Sequence, residues 1–69
     1  MPKRPSSDEV AKVLRRHGFV LVSQKGSHAK FRNSEIPRRT VIVPMNRKNL
    51  AVGTFHSIIE QAGLTEDDF

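Results

Sequence analysis

The sequence predicts a small α+β domain with the order α-β-β-β-α, in which both helices cover one face of a three-stranded antiparallel sheet. Apolar residues recur at helical spacing near the two ends of the chain, and three short β-rich runs lie between them. The runs are only a few residues apart, which favours an antiparallel meander. Because 69 residues suffice for one small core, we expect a single domain over residues 1–69.

A capping box and an apolar stripe predict the first helix. Ser6 and Glu9 are three residues apart, the spacing at which each side chain binds a backbone amide of the other. The stripe that follows at i, i+3, i+4 and i+7 consists of Val10, Val13, Leu14 and His17. We therefore expect His17 to pack against the core and Gly18 to end the helix. Residues 1–5 hold two prolines and two cations, and we expect them to form a flexible lead-in.

Three runs of residues are predicted to form the sheet, and they span residues 19–22, 28–33 and 39–43. The first run is apolar on both faces, so its second face needs a cover. The second run follows a turn that contains glycine. Pro44 ends the third run, and Pro37 lies in the loop before it because proline cannot donate to a strand ladder.

The second helix is predicted after Gly53-Thr54, on a stripe that consists of Phe55, Ile58, Ile59 and Ala62. Gly63 is expected to end it in the left-handed conformation that glycine adopts without a steric clash. Thr65 is expected to cap a last short helix in the acidic C-terminal segment. Residues 45–51 are polar and basic and are predicted to be a connector.

Charge is distributed unevenly along the chain. All twelve Lys and Arg lie in residues 1–48 beside three acidic residues, whereas residues 49–69 hold four acidic residues and no Lys or Arg. A basic body is typical of nucleic-acid binders, although it also serves solubility alone. The chain has no Cys, no apolar run near the roughly 20 residues that span a bilayer, and no apolar signal segment behind its basic N-terminus. We therefore expect a cytoplasmic protein without membrane contact.

The segment Lys25-Gly26-Ser27-His28 carries the strongest functional signal. With the two-residue period of a strand, three polar side chains point away from the core, namely His28, Lys30 and Arg32. An imidazole both accepts and donates a proton near neutral pH, so a basic strip that contains one suits chemistry on a phosphodiester. An exposed histidine without function is the alternative that the pattern leaves open. Gly26 is expected only to supply a positive φ angle to the turn.

Cleavage of RNA without a metal ion is the reaction that this strip favours. A neutral His28 would take the proton from a ribose 2′-OH, which attacks the adjacent phosphate and leaves a 2′,3′-cyclic phosphate. The candidates for stabilising the phosphoryl oxygens are Lys25, Lys30 and Arg32, and Ser27 is a candidate hydroxyl donor. The three histidines form no His-x-x-x-His motif and lie in no carboxylate cluster. We therefore expect no metal site and no cofactor.

The remaining basic side chains carry weaker expectations. His56 is predicted to be a solvated residue of the second helix rather than a second catalyst. Four cations flank the third strand and are candidates either for phosphate contacts or for a solvated edge that discourages sheet pairing: Arg38, Arg39, Arg47 and Lys48.

Three stretches of the sequence resemble the HicA family of bacterial toxins, small RNA interferases encoded with a HicB antitoxin. They are His17-Gly18-Phe19, the run from Gln24 through Lys25-Gly26-Ser27-His28, and residues 53–64 with their Gly-Thr-Phe and Ala-Gly-Leu motifs. The resemblance implies a fold similar to double-stranded-RNA-binding domains. It also implies a ribosome-independent RNase with His28 as its catalytic residue, and a HicB-like antitoxin that covers this face.

The sequence with this resemblance predicts a toxin of a type II toxin–antitoxin system that cleaves mRNA as a metal-independent endoribonuclease. Its expected partners are RNA and a HicB-like antitoxin, and the doubly apolar run at 19–22 is a candidate docking surface. A non-catalytic RNA-binding module of the same fold is the second interpretation. A subunit whose basic face meets an acidic protein is the third.

Overall fold

Two helices and a three-stranded sheet form the structure, a computed structural model that describes residues 4–35 and 38–69. The elements in chain order are α1 (Ser7–Arg16), β1 (Val20–Lys25), β2 (His28–Asn33), β3 (Arg39–Pro44), α2 (Val52–Ala62) and a C-terminal 3-10 turn (Glu66–Asp68). The predicted α-β-β-β-α order is confirmed. Pro37 and residues 1–3 of the predicted lead-in lie outside the described residues. Neither helix within those ranges is long and apolar enough to cross a membrane.

The sheet is an antiparallel meander with the strand order β1-β2-β3. A tight turn joins β1 to β2, so that Lys25 lies opposite His28. The register shifts between Leu21 and Ser23, which leaves Val22 as an extra residue in β1. β1 begins one residue later than predicted and continues to Lys25, because the polar residues at its end pair with β2 as the apolar ones do.

One face of the sheet packs against both helices and forms the core. The buried strand residues alternate as the period of two requires, namely Ala29, Phe31, Val41 and Val43. The helices add the buried residues Val10, Ala11, Leu14, Phe55, Ile58 and Ala62, and Phe19 joins them. Leu50 is only 1% exposed and also belongs to this core, although it lies in the connector predicted to be polar. No helix of the described residues covers the other face of the sheet.

The capping box of α1 is confirmed, but the position predicted for His17 is wrong. The backbone N–H of Ser6 donates to Glu9 Oε1 at 2.9 Å, and the N–H of Glu9 donates to Ser6 Oγ at 3.1 Å. His17 is exposed because α1 ends at Arg16 and His17 has left the helical conformation. The apolar stripe therefore does not extend to this residue. The carbonyl of His17 instead accepts a hydrogen bond of 3.1 Å from Asn33 Nδ2.

The C-terminal end of α2 covers the outer edge of β3. Gln61 Oε1 accepts a hydrogen bond of 3.0 Å from the backbone N–H of Ile42. Arg39 Nη1 donates to the carbonyls of Glu60 and Gln61, both at 3.4 Å, so this guanidinium caps the negative end of the helix dipole. Gly63 follows with φ 68°, as predicted for the helix end.

Ser7 joins the start of α1 to the connector between β3 and α2. Its hydroxyl donates to the carbonyl of Pro44 at 2.6 Å and accepts from the N–H of Arg47 at 3.1 Å. Its own N–H donates to the carbonyl of Arg47 at 3.0 Å. Ser7 is 1% exposed, so these three bonds are shielded from water. A fourth bond, from the N–H of Leu50 to the carbonyl of Pro5 at 3.0 Å, holds the far end of the connector.

The acidic C-terminal segment is held against α2 by local contacts. The N–H and hydroxyl of Thr65 both donate to Asp68, at 2.8 and 3.1 Å. The N–H bond, and after it the hydroxyl and the charge of His17, lowers the pKa of Asp68 below its ordinary value of 3.8, although desolvation acts in the opposite direction. The ring of Phe69 packs edge-on against Phe55 at 5.3 Å between centroids. The predicted short helix is thus a single 3-10 turn.

Replacement of Ser7 by alanine tests how much its hydrogen bonds to the connector stabilise the fold. We expect Ser7→Ala to lower the free energy of unfolding by about 1 to 3 kcal/mol, because the amide of Arg47 and the carbonyl of Pro44 lose a buried partner. Urea denaturation measures the change. Ser34→Ala, at an exposed loop serine, is the control and should stay within about 0.5 kcal/mol of the parent chain. Equal midpoints for both variants would contradict this assignment.

Alanine variants of Gly63, at the C-terminal end of α2, and of Gly53, in its first turn, make a matched pair. A Cβ on Gly63 would lie 2.7 Å from Arg39 Cζ and would also require a positive φ, so Gly63→Ala should destabilise the chain by about 1 to 3 kcal/mol. A Cβ on Gly53 would meet no atom within 4 Å, so Gly53→Ala should be neutral or stabilising by about 0.5 to 1 kcal/mol. Thermal unfolding of the two variants compares them. The account of Arg39 is wrong if Gly63→Ala melts with the parent.

Candidate active site

His28 is the first residue of β2 and lies exposed on the face of the sheet that carries no helix, which we call the outer face. Its directly opposite neighbours are Lys25 on β1 and Pro44 on β3. Residues in this relation have Cβ atoms about 4.5 to 5.5 Å apart on the same face. An ammonium group therefore lies within reach of the same ligand atom as the imidazole. The predicted outward orientation of His28 agrees with this register.

The turn before His28 is fixed at both ends. Gly26 has φ 55°, as predicted for this turn, and its carbonyl accepts a hydrogen bond of 3.3 Å from Gln24 Nε2. The carbonyl of Ser27 accepts a hydrogen bond from the N–H of Met45. Since Met45 belongs to the connector that Ser7 holds, this bond fixes the position of the turn relative to the connector.

A cavity of about 540 Å³ opens beside His28. Its walls come from the end of β3, the connector and the first two turns of α2. The lining residues are His28, Ile42, Pro44, Arg47, Asn49, Leu50, Ala51, Thr54 and Ser57. These described residues include a guanidinium, an amide and two hydroxyls as hydrogen-bond donors, and no carboxylate. The composition of the lining therefore favours an anionic ligand.

The N-terminus of α2 reaches the same cavity. Ala51 is the N-cap residue and supplies no side-chain hydrogen bond to the helix. The first amide groups of a helix have no partner inside the helix and lie at the positive end of its dipole. With Ala51 and Thr54 in the cavity wall, these groups add to the attraction for an anion.

Lys30 and Arg32 follow His28 along the outer face at increasing distance. Lys30 is half-buried between Ser23 and Ile42, and Arg32 is exposed between Val20 and Thr40. At the rise of a strand, Lys30 lies about 7 Å from His28 and Arg32 about 13 Å. The predicted cations thus form one strip, and of these Lys25 and Lys30 are the near neighbours of the imidazole.

The other two histidines lie outside this site. His56 is exposed on α2, as predicted, and its Nε2 is 3.2 Å from Glu66 Oε1. His17 lies at the end of α1. Among residues 4–35 and 38–69, no group of three or more His, Cys, Asp or Glu side chains has the geometry of a metal site.

One protein family matches the chain over both helices and all three strands. A family model described as the HicA toxin of bacterial toxin–antitoxin systems matches residues 7–64, from the first residue of α1 to just beyond α2. The chain belongs to the HicA toxin family. No curated protein sequence matches it. As a HicA toxin, the chain is the toxic member of a toxin–antitoxin system and has a cognate antitoxin as its partner.

The wall of the cavity includes residues for which the sequence predicts no functional role or only a minor one. The sequence pattern singles out Thr54 only as part of the HicA-like Gly-Thr motif, and it assigns no role to Ser57. Arg47 was one of four cations flanking the third strand, and the structure separates these four. Arg47 lines the cavity of this HicA toxin, and Arg39 caps α2. The exposed Arg38 and Lys48 do neither.

Proposed function

We propose that this HicA toxin is a metal-independent endoribonuclease that cleaves mRNA with His28 as its catalytic residue. The observation that carries the proposal is the exposed imidazole beside Lys25, at the mouth of a cavity with cationic and hydroxyl donors and no carboxylate in its described lining. Membership of the HicA family supports a toxic activity, and a ribonuclease activity fits the chemistry of this site.

Proton transfer by His28 is the first chemical step. The neutral imidazole accepts the proton of a ribose 2′-OH, and the 2′-oxygen attacks the adjacent phosphorus. The bond from phosphorus to the 5′-oxygen breaks, which leaves a 2′,3′-cyclic phosphate and a 5′-hydroxyl. Either His28 or solvent returns a proton to the leaving oxygen. A positioned acid or base of this kind contributes on the order of 10²- to 10⁴-fold to the rate.

The cations beside His28 stabilise the charge that develops on the phosphoryl oxygens. Lys25 is its cross-strand neighbour and Lys30 lies one strand repeat away, so both reach the reacting phosphate. Ser27, in the adjoining turn, donates a hydroxyl hydrogen bond to the same group. Arg32 is about 13 Å along the strand and binds the next phosphate of the chain instead. This division assigns catalysis to one end of the strip and substrate binding to the other.

The wall of the cavity opposite His28 binds a further part of the RNA backbone. Arg47 and the first amide groups of α2 bind phosphate, while Thr54 and Ser57 supply neutral hydrogen-bond donors. The reaction requires a ribose 2′-OH, so the substrate is RNA and not DNA. We further propose that a HicB-like antitoxin blocks this site and that the toxin acts in the cytoplasm, where mRNA is found.

A non-catalytic RNA-binding module is the second candidate. It is favoured by the described cavity lining, in which His28 is the one imidazole and no carboxylate is present to serve as a second acid or base. A single imidazole is a modest catalyst, whereas the cationic strip is sufficient for binding phosphates.

Cleavage assays in excess EDTA separate these candidates. We expect the parent chain to cleave RNA with EDTA present and His28→Ala to lose about 100-fold or more of the rate. His56→Ala is the matched control, since this histidine is also exposed but lies outside the cavity, and it should retain the parent rate. Equal rates for the parent and His28→Ala, or loss of the parent's cleavage in EDTA, would refute the mechanism. Tight binding without cleavage by the parent would favour the second candidate.

A salt titration tests the strip on the outer face. In the His28→Ala background, which prevents cleavage, Lys30→Gln should reduce the slope of log affinity against log salt by about 0.7 for single-stranded RNA. Lys12→Gln is the control, because Lys12 is exposed on α1 rather than on the outer face. Fluorescence anisotropy with a labelled RNA measures both slopes. If the two variants change the slope equally, Lys30 has no special contact with phosphate.

A further inference from the structure

Strand β1 forms an uncovered edge of the sheet. The opposite edge, on β3, is covered by α2 through the bond from Ile42 to Gln61. β1 pairs only with β2, and all of its residues are exposed. An edge strand in this state presents a row of unpaired N–H and C=O groups to any chain that can pair with it. Within residues 4–35 and 38–69, this is the one sheet edge without a cover.

Three consecutive apolar residues lie exposed on this edge. Val20 is 62% exposed, Leu21 39% and Val22 48%. Val22 is the extra residue of the register shift and has no partner on β2. These three side chains are not part of the buried core that the described residues form. A continuous apolar edge of this kind marks a protein interface.

The charge around β1 selects the kind of partner. Residues 10–34 contain six Lys or Arg and no Asp or Glu. Lys25 ends β1, Arg32 lies opposite Val20, and Arg16 is exposed at the end of α1 just before β1. A second copy of the chain would bring the same cations against them, and like charges placed opposite one another destabilise strand pairing. An acidic and apolar segment avoids this repulsion.

We propose that the cognate antitoxin binds the toxin by adding an extended strand to the edge of β1. Apolar residues of the added strand cover Val20 to Val22, and acidic residues pair with the cations at the two ends. Backbone hydrogen bonds supply affinity, as in other cases of strand addition, and the side chains supply specificity. This interface rests on membership of the toxin family and goes beyond the ribonuclease proposed above.

The position of the added strand also suggests how the antitoxin acts. Neighbouring strands are about 4.8 Å apart, so a strand beside β1 lies about 10 Å from β2. An acidic residue there pairs with Lys25, the cross-strand neighbour of His28. The antitoxin thereby withdraws a cation from the site without having to fill the cavity.

Binding of the purified HicB-like antitoxin encoded beside the toxin tests the interface by calorimetry, with no RNA present. We expect Val22→Asp to weaken the affinity by about tenfold or more, because it removes an apolar contact and repels acidic side chains. Val52→Asp is the matched control, as Val52 is 51% exposed on α2, and it should bind within about twofold of the parent. Equal affinity for Val22→Asp and the parent would overturn the proposal.

Hydrogen exchange on the parent chain supplies an independent measurement that needs no variant. Amides of residues 20–25 should exchange at least about tenfold more slowly in the antitoxin complex, as a new strand ladder requires. Unchanged exchange there would overturn strand addition. A free chain that is dimeric by light scattering, and that Val22→Asp converts to a monomer, would assign the edge to a second copy instead and would equally overturn the proposal.

RNA cleavage by free Val22→Asp keeps the two proposals separate. Val22 lies outside the cavity and the cationic strip, so the variant should cleave RNA as the parent does. Weakened antitoxin binding with unchanged cleavage supports the interface. If neither chain cleaves RNA, the proposed ribonuclease fails, while the binding and exchange results still decide the interface.

Discussion

The hydrogen bonds of Ser7 are the constraint on which the candidate site depends. Ser7 is nearly fully buried, and its hydroxyl and amide bind the end of β3 and the connector at the same time. Without a partner, each of these partly buried backbone groups would be left unsatisfied, which costs up to about 1 to 3 kcal/mol per group. In a chain of 69 residues, whose stability is a small difference between large terms, one such side chain contributes substantially to holding the connector in place.

The position of the connector then determines the site. Met45 binds the carbonyl of Ser27 and so brings the β1–β2 turn, with His28 after it, to one side of the cavity. Leu50 is buried in the core at the other end of the connector, and α2 begins two residues later. The imidazole and the first turn of α2 thus face one cavity although His28 and Val52 are 24 positions apart in the sequence. The site therefore depends on the hydrogen bonds of Ser7 at the start of α1, which is far in sequence from both His28 and α2.

The sequence predicted the parts of the fold that arise from local patterns. The capping box of α1, the alternation of β2 and the glycine at the end of α2 each result from interactions within a few residues, so spacing alone reveals them. Long-range contacts could not be read in this way. Nothing near Ser7 indicates a partner 37 residues away, and Leu50 is one apolar residue among polar ones. The prediction for His17 was wrong for a different reason. The helical spacing of the sequence extends to His17, although the helix itself ends at Arg16. The cavity combines residues from three segments, and so Thr54, Ser57 and Arg47 could not be assigned to it beforehand.

Three acidic residues are placed so that they do not neutralise the outer face. Glu9 lies in the capping box, Glu66 binds His56, and Asp68 binds Thr65, all away from the sheet surface. Lys25, Lys30 and Arg32 form no ion pair within the described part of the chain. Their charge is therefore available to an external ligand, and both proposed ligands are anionic. RNA and an acidic antitoxin strand would compete for Lys25 in particular. An ammonium group that is paired with a carboxylate of the antitoxin binds a phosphate more weakly. If both proposals hold, control of the toxin needs no conformational change in the toxin, because occupation of a shared charge is sufficient.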